Sequence, residues 1–286
     1  MMKSYRGKSG IAVSLLAVSL LGGLGLAQSA CAAESGEAPA PASAEQGPFT
    51  ANVTLINDYR YRGISQSNFN PAIQGGFDYA HESGFYIGNW NSSISWISDA
   101  VSTMPNQSTS APIEMDFYAG YKHDWSKGFI FDVGVLQYYY PNSGLPGGVN
   151  NPNTTELYVA QNFTALEALT GYLKFSVAVT NLFGVANSSG SNYTDLTLNY
   201  DTGVWGLALN GHVGYQYLAG SNPVGGSNNS LYSYTDWKLG VTKDLGAGFS
   251  LGAAYVQTNA KDYAYVSPQG NNLGRAGFLV NLTKTF

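Results

Sequence analysis

Ionisable side chains are sparse in this 286-residue chain, at 11% Asp, Glu, Lys and Arg, and they are placed by a rule. Asp58, Arg60, Arg62, Asp78, Glu114, Asp116, Lys122, Asp132, Glu156, Lys174, Asp195, Asp236, Lys238 and Arg275 fall on the polar phase of segments that alternate with period two. Lys284 departs from the rule and lies on the apolar phase, near the end of its segment, where its stem can snorkel to an interface. Charges of both signs on one face of many strands can do two kinds of chemistry. They can line a lumen and sort solutes, as rows and rings of charge do in pores. Alternatively they can pair with one another and fill that lumen. Arg60, Arg62 and Arg275 are expected to converge as a basic wall at the outer end of a barrel. Glu114, Asp116 and Glu156 are expected to form an acidic wall facing it, with a transverse field between the two.

Catalytic chemistry finds less support. Of three histidines, His81 and His123 fall at predicted inner-rim positions and His212 on a lumen-facing phase. None is set among the long polar loops beside an Asp or Ser, as a hydrolase mechanism needs. The carboxylates are spread over separate strands, and metal-ligand clusters, phosphate loops and nucleotide fingerprints are absent from the sequence. No catalytic residue, cofactor or metal is therefore expected.

The elements that must position the charges are short strands. In Ala51–Arg62 the odd positions Ala51, Val53, Leu55, Tyr59 and Tyr61 oppose Asn52, Thr54, Asp58, Arg60 and Arg62. In 275–286 the residues Ala276, Phe278, Val280, Leu282 and Phe286 oppose Asn281 and Thr283. The expected strands are 51–62, 72–81, 85–96, 113–123, 129–140, 154–163, 172–181, 192–200, 204–216, 232–242, 249–259 and 275–286. Connections alternate in kind. Short ones carry an acidic residue before glycine, as in Glu82-Ser83-Gly84 and Asp201-Thr202-Gly203, the pairing of tight hairpins. Long ones, such as 98–112, 142–153 and 219–231, are rich in Gly, Ser, Asn and Pro. The fold class read from this is all-β, a transmembrane up-and-down antiparallel β-barrel of about 12 strands, closed because lipid tolerates neither open edges nor unpaired charge. The 21 Tyr, 13 Phe and 5 Trp suit interfacial girdles, with Tyr59, Tyr61, Tyr121, Trp205, Tyr215, Trp237 and Phe286 on the outward phase.

The first 33 residues read as a signal peptide, with Lys3, Arg6 and Lys8 before an apolar run and small residues after it. Cys31, the single cysteine, is expected to leave with it. Residues 34–48, rich in Ala, Pro and Glu, read as a periplasmic tether, and 49–286 as the barrel. The formal charge is −5 and becomes more negative once the basic signal is removed, which disfavours nucleic acid as a partner. Expected partners are outer-membrane lipid and small polar solutes or ions, and the expected location is the bacterial outer membrane.

The run Asn52-Val-Thr-Leu-Ile-Asn-Asp-Tyr-Arg-Tyr-Arg-Gly-Ile-Ser-Gln, with Asn70-Pro-Ala-Ile-Gln-Gly-Gly-Phe-Asp-Tyr-Ala and Gly84-Phe-Tyr-Ile-Gly-Asn-Trp, resembles the TorF porin family over 52–96. The terminal Phe286 resembles the signal read by the outer-membrane assembly machinery. The resemblance implies an outer-membrane barrel with a transport role and carries over no solute or binding residue. The function expected is a porin-like channel for passive diffusion of small polar solutes. The alternative is a closed structural or adhesive barrel whose outer loops bind a partner.

Overall fold

A computed structural model describes residues 48–286. The expected signal over 1–33, Cys31, and all but the last residue of the 34–48 tether lie outside the described residues. The elements are β1 (Phe49–Ile56), β2 (Arg60–Tyr61), β3 (Ile64–Ser65), β4 (Ala72–Ala80), β5 (Phe85–Ser93), α1 (Trp96–Ser102), β6 (Ile113–Ser126), β7 (Phe129–Tyr139), β8 (Thr154–Leu166), β9 (Leu169–Ala178), β10 (Asn192–Asp201), β11 (Leu207–Tyr217), α2 (Asn228–Tyr232), β12 (Tyr234–Gly246), β13 (Phe249–Thr258) and β14 (Gly277–Thr285). A single 3₁₀ turn spans Leu182–Gly184. Strands β1 and β4 to β14 form a closed antiparallel barrel, each paired with its chain neighbour, and β1 closes the ring by pairing with both β14 and β4. Closure leaves no strand edge, the condition a bilayer imposes.

Period-two alternation sorts the side chains. Leu55, Ile73, Phe77, Ile87, Phe117, Leu157, Leu173, Leu239 and Val280 are exposed on the outer surface, where lipid would cover them. Asp78, Glu114, Asp132, Glu156, Lys174, Asp195 and Asp236 are buried inside the barrel. Lys284 stays on the outer face and donates to the Ala247 carbonyl at 2.5 Å, beside the Phe249 and Phe286 rings.

The first strand corrects the sequence reading. Expected to run to Arg62, it stops at Ile56. Asn57 ends the ladder: its Nδ2 donates to the Phe278 carbonyl at 3.0 Å, and its Oδ1 accepts from Val280 N at 2.7 Å. The Asn57 N–H still donates to the Val280 carbonyl at 3.2 Å, and the side-chain oxygen takes the place of the backbone carbonyl in the other half of that rung. The chain then folds into the lumen as a separate hairpin, β2–β3, pairing Arg60 with Ser65 and Tyr61 with Ile64. Tyr59 and Tyr61, expected in the outer girdle, are consequently buried inside. Trp205, Tyr215 and Phe286 do lie exposed on the outer surface.

Inside the wall, glycine and tyrosine interlock across strands. Gly120 of β6 faces Tyr86 of β5, and Gly134 of β7 faces Tyr158 of β8, as direct register partners. A Cβ at either glycine would collide with the tyrosine opposite. Gly214 of β11 is covered in the same way by Tyr193 of β10.

Short turns cluster at one end of the barrel and long connections at the other. Three of the short turns carry bulges, at Asp124/Ser126, Thr164/Leu166 and Asp244/Gly246. Gly148 and Gly225 lie in long connections and Gly203 in a short one, and a Cβ at any of them meets nothing within 4 Å. Epitope tags inserted at all three should therefore be tolerated. Antibody binding to intact cells is expected for tags at 148 and 225 and not for a tag at 203. Equal labelling of both classes would reverse or void the orientation.

Candidate functional site

The hairpin turn is Arg62-Gly63, with φ of +46° and +78°. Two successive positive φ values are the signature of a type I′ turn, whose twist suits a two-residue hairpin. Glycine is required at the second position for a further reason, since a Cβ there would strike Thr258 of β13 and Asp236 of β12. Arginine at the first position is unusual, because a non-glycine residue in this region carries about 1–2 kcal/mol of strain.

What holds Arg62 there is its contact set on strands β8, β10 and β11. Nη1 and Nη2 donate to Glu156 Oε1 and Oε2 at 3.1 and 2.8 Å, and Nη1 also donates to Gln216 Oε1 at 2.7 Å. The guanidinium lies 4.2 Å from the Tyr193 ring centre and 4.8 Å from that of Tyr61. Both charged side chains are essentially inaccessible. A bidentate pair with an aromatic floor is the geometry in which arginine holds most firmly. Strand β1 adjoins β14 and β4, so the Arg62 side chain spans the lumen from the hairpin tip to β8.

The other expected arginines sit elsewhere. Arg60 pairs with Asp58 at 2.5 Å and donates to the carbonyls of Gly63, Leu273 and Arg275 at 2.9–3.0 Å. Arg275 precedes β14 and is exposed. Arg60 and Arg275 meet over one ring, at 5.1 and 4.1 Å from the centre of Phe69. Of the three arginines, these two come together at the hairpin's base and Arg62 stands apart at its tip. On the acidic side, Glu114 and Asp116 project from β6 and Glu156 from β8. The walls expected to oppose each other across open space are thus joined, through Arg62 and Glu156.

Tyrosines supply what the sequence reading lacked. Glu114 accepts from Tyr59 at 2.5 Å and Tyr140 at 2.6 Å. Asp78 accepts from Tyr118 at 2.5 Å, Asp132 from Tyr86 at 2.6 Å, Asp195 from Tyr172 at 2.9 Å and Asp236 from Tyr193 at 2.9 Å. Burial, and then the adjacent Glu114 charge, push the Tyr59 and Tyr140 hydroxyls well above their ordinary value, so both remain donors. His212 of β11 sits between Asp195 and Asp236, with each ring nitrogen 2.8 Å from a carboxylate oxygen. The two carboxylates approach from opposite edges of the ring and share no coordination point, and no metal-binding cluster is found among the described residues. The signal that could have found these donors is phase. Tyr118 shares the parity of Glu114 and Asp116, Tyr158 that of Glu156, Tyr172 that of Lys174, and Tyr193 that of Asp195.

The same architecture occurs in solved structures of low sequence identity. The COG4313 outer membrane channel from Pseudomonas putida F1 superposes with a TM-score of 0.52 at 16% identity, over 87% of this chain and 100% of that one. The NanC porin superposes with a TM-score of 0.51 at 10% identity, over 82% of this chain and 98% of that one. No curated protein matches in sequence. The closed 12-strand barrel with its apolar outer belt places the protein in the outer membrane, and these neighbours share its fold. The TorF name remains a resemblance over 52–96. By a match spanning residues 40–286, the chain belongs to the family Gcw_chp, described as a bacterial protein of unknown function.

Proposed function

We propose that this barrel is a porin-like channel for small polar solutes whose resting state is closed by the β2–β3 hairpin. The observation that carries this reading is the Arg62 bridge: at its outer end the lumen is filled by an inserted segment, held at its tip by the Arg62–Glu156 ion pair and a Tyr61–Tyr138 hydroxyl hydrogen bond, and not by wall side chains alone. A pair that reaches from the hairpin to the far wall can open as a unit, whereas a lumen packed only from its own wall cannot. Tyrosine hydroxyls, carboxylates, Asn281, Thr242 and Lys238 line the space beneath, a surface suited to polar solutes. Arg62, Glu156 and Gln216 form the gate in this reading. Arg60 and Arg275 anchor its base, and Glu114 with Asp116 lines the outer lumen. No step of it is catalytic.

A second reading has its own support. Asp132, Lys174 and Asp195 show almost no exposure, so the middle of the lumen is packed in this state. A permanently closed barrel presenting its outer loops would look the same there. Planar-bilayer recording of purified protein in a salt gradient separates the two. The channel reading expects brief, infrequent openings of uniform amplitude, with time spent open rising when urea is added below the unfolding range. A silent membrane at every voltage, with insertion verified, supports the closed barrel.

A further inference from the structure

Above the hairpin, the outer connections enclose a cavity of about 480 Å³. That volume is within the range of sites that hold small organic molecules, roughly 300–1,000 Å³. Tyr61, Ile64 and Ser65 of the β2–β3 hairpin form part of its lining, and the rest draws on α1, the residue after β7, the 3₁₀ turn, the end of β11 with Gln216 and the connection before β14, so it is a built chamber and not a groove on one element. Trp96, Tyr140, Leu182, Phe183, Leu218 and Tyr265 give it an apolar, largely aromatic surface.

Phe183 shows that this surface is constructed at a cost. It holds φ of +47° and ψ of +41°, the left-handed region, although it is not glycine. Its N–H donates to Thr154 Oγ1 at 2.8 Å, and the preceding Leu182 N–H to Ser188 Oγ at 2.7 Å. The ring is thereby set edge-on to Tyr61 and Tyr138, with centres 5.4 and 5.1 Å away. Strain of this kind persists where the surroundings impose it, and it clusters at ligand clamps. Among the described residues lining the chamber, Asp99 supplies the formal charge and no Lys, Arg or His takes part.

We propose that this chamber is a binding site for an uncharged, ring-bearing apolar molecule with one hydrogen-bond donor, the ring taken up by the aromatic wall and the donor directed to Asp99. An anion of the same shape is disfavoured, because it would face the Asp99 carboxylate without a cation nearby. The chamber shares Gln216 and the hairpin with the proposed gate, but occupancy needs only the closed hairpin, so the binding test reads this site whether or not the barrel conducts.

The test uses full-length protein in lipid nanodiscs, labelled with 5-fluorotryptophan, with 1-naphthol as the probe. The chain has five tryptophans. Trp96 lines the chamber, while Trp205 is exposed on the outer surface and Trp237 sits partly exposed on an outward position of β12. A saturable shift of the Trp96 fluorine signal is expected, with the Trp205 and Trp237 signals unmoved. Ala100→Phe, which fills part of the chamber from α1, should weaken binding at least tenfold while leaving the other four signals in place. Equimolar 1-naphthoate should produce no saturable shift. A response shared by all five tryptophans would mean partition into lipid, and would overturn the proposal. Equal binding of naphthoate, or an unaltered response in Ala100→Phe, would also overturn it.

Discussion

Arg62→Ala should convert an almost silent barrel into one that conducts for most of the recording. The side chain donates hydrogen bonds to both carboxylate oxygens of Glu156 and to Gln216, and it rests between two tyrosine rings. Breaking a buried pair by removing one partner typically costs 3–5 kcal/mol, because the remaining charge is stranded. In the closed state that charge is Glu156, about 1% exposed. Opening would let water reach it, so the loss falls on the closed state and not on both. At about 1.4 kcal/mol per factor of ten, a loss of 3 kcal/mol raises the open-to-closed ratio roughly a hundredfold. The strained φ at position 62 is no obstacle to the reverse motion, since alanine is released from it when the hairpin withdraws. Glu156→Gln should act in the same direction and more weakly, as the amide can still accept one hydrogen bond. The charge-swapped pair Arg62→Glu with Glu156→Arg restores the attraction and should return the barrel toward silence. Single variants that stay silent would remove the gate from Arg62. A swapped pair as open as either single variant would attribute the conductance to general loosening.

How much of this was legible follows from which signals are periodic. Inward sorting of Asp78, Glu114, Asp132, Lys174 and Asp236 was readable, because a strand's side chains alternate whatever its neighbours are. So were the twelve barrel strands and the division into tight and long connections, which rest on glycine-containing turns and loop composition. The inserted hairpin was not. Residues 51–62 keep an alternating pattern through Asn57, where the ladder ends. Period two cannot distinguish a strand that continues in the wall from one that leaves it and forms a hairpin. Arg62-Gly63 carried a partial clue, a glycine in a two-residue turn position, but arginine is not a usual first residue of a type I′ turn. The Arg62–Glu156 pair was hidden for a different reason. It joins positions 94 residues apart across the lumen, and no local pattern encodes contact through the interior. The tyrosine–carboxylate pairs lay between these cases. Their parity was visible, yet aromatic abundance suggested the lipid interface, and only for Tyr59 and Tyr61 did that assign the wrong side.

Gly214→Ala should be among the most damaging single-methyl additions in the barrel, and Gly211→Ala, three residues earlier on the same strand, should be nearly neutral. At Gly211 an added Cβ meets the Leu239 side chain at 3.5 Å, an ordinary contact on the outward face. At Gly214 it collides with the Tyr193 hydroxyl and ring. That ring cannot swing aside freely. Its hydroxyl donates to Asp236 at 2.9 Å and lies 3.0 Å from His212 Nε2, and the Arg62 guanidinium covers its face at 4.2 Å. Overpacking in a fixed environment costs about 1–3 kcal/mol, and the upper end is expected here because displacing Tyr193 also uncaps a buried carboxylate. Urea unfolding in lipid vesicles, read as a shift in midpoint at constant slope, gives the cost directly. A double-mutant cycle assigns it. In a Tyr193→Ala background the methyl at 214 has nothing to strike, so Gly214→Ala should then cost less than about 0.5 kcal/mol, leaving a coupling energy of 2 kcal/mol or more. The same displacement would tilt the aromatic floor beneath Arg62. Gly214→Ala protein that still assembles should therefore also conduct more than the parent barrel, at a position that touches neither Arg62 nor Glu156. Equal costs for the two glycines, or a full cost persisting without Tyr193, would show that the interlock does not set the lumen's geometry.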